Sequence, residues 1–149
     1  MSWKNLLAAN RIRAHRTSKA ELDDLRAAVE VKLKDAASTS ISADTRFATA
    51  YGAALLLAKM SLACSGYRLD PKSGGHHVTA FEALPLSLGS TANGLSRYFE
   101  VCRRKRNEID YDRAFVASDA DTEEIVKRAE ELRVQVEAWI DAHHPTLSK

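Results

Sequence analysis

Cysteine is scarce in this chain, with Cys64 and Cys102 the only two in 149 residues. So few thiols exclude the disulfide framework of a small secreted domain, and their spacing matches no metal-ligand pattern. Both are expected as reduced core residues, and a cytoplasmic location is expected with them. Charge of one sign is lacking as well: 22 Lys and Arg against 20 Asp and Glu leave a formal charge of +2, too small to announce a nucleic-acid binder without a local concentration of cations. No apolar run approaches the roughly 20 residues that cross a bilayer. The opening "MSWKNLLAANRIRAHR" has neither the long apolar segment nor the small-residue cleavage site of a signal peptide, so no membrane association is expected. Strand signals are nearly absent, because no segment alternates apolar and polar residues between turn residues. Also missing are Gly-rich phosphate loops, Ser-His-Asp arrangements, paired-carboxylate sites and a helix-turn-helix pattern.

What is present is helical periodicity in a chain that is 45% hydrophobic and 28% charged, an ordinary globular balance that fits one domain over residues 1–149. Trp3, Leu6 and Leu7 suggest a short amphipathic N-terminal helix that packs on the body or swaps between subunits. "SKAE" is a start signal, with Ser18 as cap and Glu21 reaching back, and Leu22, Leu25, Val29, Leu33 and Ala36 then recur at helical spacing to about Ala37. Ser42 and Asp44 open a helix through Phe47, Tyr51, Ala54, Leu55, Ala58 and Leu62 to Gly66, predicted to be the most buried. "GYRLDPKSGGHH" has the composition of a loop, and "VTAFEALPLSLG" reads as a short helix stopped by Pro85 and Gly89. From about Ala92 the stripe Leu95, Tyr98, Phe99, Cys102 continues in register through Arg106, Ile109 and Arg113. Asp121 and Glu124 stand in capping-box spacing before a last helix carrying Ile125, Leu132, Val136 and Trp139 to about Ala142. The fold class is therefore all-α: an antiparallel four-helix-bundle-like domain with a short extra N-terminal helix.

One stretch raises a functional question. In "FEVCRRKRNEIDYDRAF" the cations Arg103, Arg104, Lys105 and Arg106 run straight into Asn107, Glu108, Asp110 and Tyr111. At about 100° per residue, Arg106 falls within the wedge of Leu95, Phe99, Cys102 and Ile109. A guanidinium there must be paired, or must line a cleft or interface, because burying it alone is prohibitive. The plain alternative is an intrahelical pair with Asp110 four residues on, with Arg103 pairing Asn107 in the same way. The functional alternative is that the four cations present a positive field to a phosphate backbone, Arg106 being the one held rigidly.

The string Arg106-Asn107-Glu108-Ile109-Asp110-Tyr111, late in an all-α chain, resembles the HEPN superfamily motif, in which an Arg and a following polar residue precede a His. "AYGAALLLAKMSLACSGYR" followed by "GGHHVTAFEAL" is similar to the middle of HEPN proteins. The resemblance implies a helical bundle that forms homodimers with the Arg motifs of two subunits facing one cleft. Many members are metal-independent RNases of toxin–antitoxin pairs beside a nucleotidyltransferase; others bind RNA or nucleotides without cutting. On this resemblance RNA or a nucleotide is the ligand, a nucleotidyltransferase or antitoxin is the protein partner, and no cofactor is required. Arg106 carries over as the phosphate-contacting Arg and Asn107 as the polar residue after it. Tyr111 stands where the nucleolytic members have His. A phenol near pKa 10 does not perform proton transfer at neutral pH as an imidazole does, although it can stack on a base.

His76 and His77 are the residues that could supply the missing imidazole if their loop folds toward the Arg helix; otherwise they only begin a helix. Two adjacent His lack the further ligands of a zinc site, so no metal is expected. A second basic group, Arg11, Arg13, His15 and Arg16, extends a nucleic-acid surface or is simply solvated. His143 and His144 read as a frayed end. The competing function is a non-catalytic protein-interaction module in which the Arg106 region is structural.

Overall fold

A computed structural model describes residues 1–111 and 114–149. Its elements run α1 (Trp3–Ala8), β1 (Ile12–Ala14), α2 (Lys19–Ala36), α3 (Ala43–Cys64), β2 (Tyr67–Leu69), α4 (His76–Glu82), α5 (Leu84–Leu88), α6 (Asn93–Asp110) and α7 (Asp119–His143), with short 3₁₀ turns at Ser90–Ala92 and Pro145–Leu147. The long helices α2, α3, α6 and α7 form the expected four-helix-bundle-like domain. At its centre lies α3, touching α2, α7, α6, α4 and α5. Its alanines allow that many neighbours, since Ala50, Ala53, Ala54 and Ala58 are fully buried and let adjacent backbones approach closely. By length and composition α3 would also span a bilayer, but 72% of its apolar window is buried inside the bundle.

The helix starts follow the capping chemistry, with shifts. Ser18 Oγ accepts from the Glu21 N–H at 3.1 Å. Glu21 does not reach back to the cap as expected; its Oε1 lies 2.7 Å from both His15 Nε2 and Thr17 Oγ1. The capping box of α7 sits three residues earlier than Asp121–Glu124: Ser118 is the cap and Asp121 returns the bond. The buried stripe of α7, Ile125, Ala129, Leu132, Val136 and Ile140, leaves Trp139 on its edge, half-exposed.

Two further expectations are corrected. A small antiparallel ribbon exists, pairing Ile12 with Leu69, Arg13 with Arg68 and Ala14 with Tyr67. Three residues per strand are too few to show alternation in sequence. This ribbon is clamped by α1, whose buried Leu6 joins Ile12, Leu62 and Ala83 while Trp3 stacks on Tyr67 at 4.7 Å, so α1 packs on the body of its own chain. The segment after the loop also divides differently. His76 and His77 belong to α4 itself, which starts after Gly75 at φ +67, a left-handed conformation that glycine adopts without a Cβ clash. Pro85 opens α5 rather than stopping a helix, in the first-turn position where its missing N–H costs nothing.

Candidate functional site

The buried stripe of α6, Leu95, Phe99 and Cys102, anchors it, and the ring of Phe99 stacks on Phe81 of α4 at 5.4 Å. That contact sets α4 beside the second half of α6, bringing the histidines to the Arg motif. Arg103 and Asn107 line one open groove of about 230 Å³ with Gly75, His76, His77 and Val78.

Helix geometry divides the cation run. Arg103, Arg106 and Asn107 fall within an arc of about 100°, whereas Arg104 and Lys105 point elsewhere. Arg104 is exposed and has no ion pair among the described residues. Lys105 reaches across to α7, its Nζ 2.8 Å from Asp121 Oδ2 and 6.0 Å from the centre of the Phe47 ring, so it ties helices together and leaves the shared positive surface expected of it. This contact also holds the Asp121 carboxyl below the usual carboxylate range. Arg103 turns back to Glu100, with Nη2 2.7 Å from Oε1, instead of forward to Asn107.

Arg106 is half-buried, as its place in the wedge requires, and it is paired: Nη1 lies 2.6 Å from Asp110 Oδ2. The pair does not satisfy the whole guanidinium. Its Nε is buried without a hydrogen-bond partner, while its Cζ sits 5.8 Å from the centre of the Tyr51 ring. Tyr51, on α3, is the residue that sequence reasoning took only for a core position. Its hydroxyl lies 3.0 Å from His77 Nδ1, and so one buried ring links the guanidinium to an imidazole. The available signal was a phenol in a helix of Ala and Leu, since a buried hydroxyl requires a partner.

The electrostatics follow from that arrangement. Burial raises the Tyr51 pKa, outweighing the opposing pull of Arg106, so its phenol stays protonated. Burial lowers the His77 pKa from its ordinary 6.5, and the positive charge of Arg106 lowers it further. In the tautomer whose Nδ1–H donates to the Tyr51 oxygen, neutral His77 holds its free lone pair on Nε2. His76 is held differently, Nε2 lying 2.6 Å from the Asp70 carbonyl oxygen. Tyr111 caps α6 and is 80% exposed, with a backbone N–H bond to Asn107 and no hydroxyl partner among the described residues. Arg113 lies outside the described residues.

The second basic group is largely structural. Arg11 donates to Thr79 Oγ1 and Glu82 Oε2, both at 2.9 Å, and His15 meets Glu21, while Arg13 and Arg16 are exposed. His144 packs against Trp139 edge to face at 4.9 Å and so is not simply frayed. Among the described residues no group of three or more His, Cys, Asp or Glu is placed to hold a metal ion.

Fold and site together define an all-α helical bundle with a half-buried guanidinium, a buried phenol and an imidazole in series at the edge of a groove. No protein-family model, curated protein or solved structure matches the chain.

Proposed function

We propose that this HEPN-like bundle binds RNA, or the phosphate of a nucleotide, in the α6 groove, and that it cleaves RNA without metal. Arg103 and Arg106 contact phosphate, Asn107 orients it, and His77 supplies the imidazole that Tyr111 does not. The observation that supports this reading is the juxtaposition of Arg106, with its unpartnered Nε, and His77 through Tyr51. In metal-independent cleavage a neutral imidazole takes the 2′-hydroxyl proton while a guanidinium stabilises charge on the phosphoryl oxygens. A depressed pKa keeps His77 in the basic form at neutral pH. Tyr111, exposed beside the groove-bearing helix, serves as a stacking platform for a base. In this reading the protein acts as a homodimer, with a nucleotidyltransferase or antitoxin as its protein partner.

Anisotropy titration of a fluorescent single-stranded RNA tests the binding part. Affinity should fall with salt at a slope of about 0.7 per neutralised phosphate, and Arg106→Gln should weaken binding and flatten the slope. A flat salt response in the wild type removes the electrostatic basis of the reading.

The Arg106–Asp110 pair favours a second reading, a protein-interaction module in which this region is structural. Under it, Arg106→Gln leaves RNA behaviour untouched and lowers thermal stability or dimerisation instead, because Asp110 loses its partner.

A further inference from the structure

Away from the α6 groove, a cavity of about 440 Å³ opens between α2, α3 and the β1–β2 ribbon. That volume lies in the range of about 300–1,000 Å³ that small organic ligands occupy. One wall is apolar, built from Leu25 of α2, Leu62 and Ala63 of α3, and Tyr67 and Leu69 of β2. Leu25 is in phase with the buried Leu22 and Val29 yet remains half-exposed, because it faces this cavity.

The polar wall carries two cations beside the carboxylate of Glu21. Lys59 of α3 and Arg68 of β2 both line the cavity, and neither makes a hydrogen bond or ion pair within the described residues. Other cations near clefts, Arg11, Arg26, Arg103, Lys105 and Arg106, each meet a carboxylate, whereas Lys59 is half-buried and Arg68 exposed at the rim of this cavity. Glu21 is the acidic residue lining this cavity, and its Oε1 is already engaged by His15 and Thr17. These two bonds hold the Glu21 carboxyl below the usual range, and Arg68 adds to the effect through space. Two cations without an ion pair beside an apolar floor form the complement of a molecule that is charged at one end and apolar at the other.

We propose that this cavity binds a small organic anion, its carboxylate or phosphate held by Lys59 and Arg68 and its apolar body lying on Leu25, Leu62 and Tyr67. The site is separate from the α6 groove but adjoins it. His76 lines both cavities, with Nε2 fixed on the Asp70 carbonyl, and a bound anion therefore sits one side chain away from His77.

Isothermal titration of the full chain with phenyl phosphate and phenylacetate, beside benzyl alcohol and inorganic phosphate, is the test. One organic anion should bind with unit stoichiometry, the tighter of the two identifying the charged group. Benzyl alcohol and inorganic phosphate should each bind at least about tenfold more weakly, since each satisfies only one wall. The Lys59→Gln/Arg68→Gln double variant should lose at least about tenfold in affinity, whereas Arg104→Gln, at an exposed cation that lines neither cavity, should leave binding unchanged. Four outcomes overturn the proposal: no binding by either organic anion, equally tight binding of inorganic phosphate, full affinity in the double variant, or loss in Arg104→Gln, which would put the ligand outside this cavity. Should the double variant fail to fold, methyl NMR of the wild type still decides the matter. Shifts at Leu25 and Leu62 on adding the anion support the site, and unmoved methyls refute it. None of these readouts depends on RNA binding.

Discussion

The hydroxyl of Tyr51 lies 3.0 Å from Nδ1 of His77, while the Arg106 guanidinium stands 5.8 Å from the centre of the same phenol ring. A residue from the most buried helix thus sets the orientation of the imidazole and fills the space under the guanidinium. Replacing Tyr51 by Phe keeps the ring and removes the oxygen. The expected loss is about 1 kcal/mol, measured by urea unfolding, because one hydrogen bond disappears and a partly buried ring nitrogen is left without its partner. Nitrogen NMR of His77 should show the tautomer preference relaxed. An unchanged tautomer would mean that Tyr51 does not orient the ring.

Protonation of His77 gives a pH signature of its own. Burial and the nearby Arg106 lower its pKa in the folded state below the ordinary 6.5. Between the two values the unfolded chain binds more protons than the folded one, so stability rises with pH there. The stabilisation is present above about pH 6.5 and is lost as pH falls through the folded pKa. Urea unfolding at pH 7.5, 6.5 and 5.5 should show a decline in the wild type that is smaller in His77→Gln. Parallel declines in the two proteins would contradict the assignment.

Asp44 has a role that its position did not reveal. Besides sitting in the first turn of α3, its carboxylate accepts from the backbone N–H groups of Phe115 at 2.9 Å and Ala117 at 2.7 Å, fastening the segment that leads into α7. Phe115 is held there at φ +60, a conformation that bulky residues avoid. Removing the acceptor in Asp44→Ala should cost about 1.5–3 kcal/mol, the range for hydrogen bonds to a charged group. Far-UV circular dichroism during urea unfolding measures it. A loss no larger than that of an exposed surface substitution would show that the segment is held by other contacts.

The helices were legible because their signals are local. Ser18 and Ser42 cap, apolar residues recur every three or four positions, and Gly66 interrupts the pattern. The candidate site was legible only in part, because its assembly is not local. Arg106 stood out as a cation in an apolar wedge, but the turn of Lys105 toward Asp121 depends on where α7 packs, and no spacing within α6 encodes it. Tyr51 and His77 are separated by a loop and a strand, and their pairing depends on α4 docking on α6 through Phe81 and Phe99. The ribbon was missed for a related reason: three residues per strand carry too little pattern, and Ile12 and Leu69 become partners only after α1 and α3 are in place.

The same docking contact makes a stability prediction. Phe99 is fully buried and stacks on Phe81, so Phe99→Ala should cost about 3–5 kcal/mol, as large-to-small changes in cores do. Because it also loosens α4 from α6, the Tyr51–His77 bond should weaken with it, and the ring signals of His77 should broaden or shift. A small stability loss with unmoved His77 signals would show that α4 is held by other contacts.

The most direct test of the account is gel-resolved incubation of the purified protein with mixed cellular RNA in EDTA, wild type beside Arg106→Gln, His77→Gln and Tyr111→Phe, each checked for its fold. Cleavage by the wild type and by Tyr111→Phe that disappears in the Arg106 and His77 variants is the predicted result. Intact RNA in every lane, or cleavage that survives loss of His77, would contradict it.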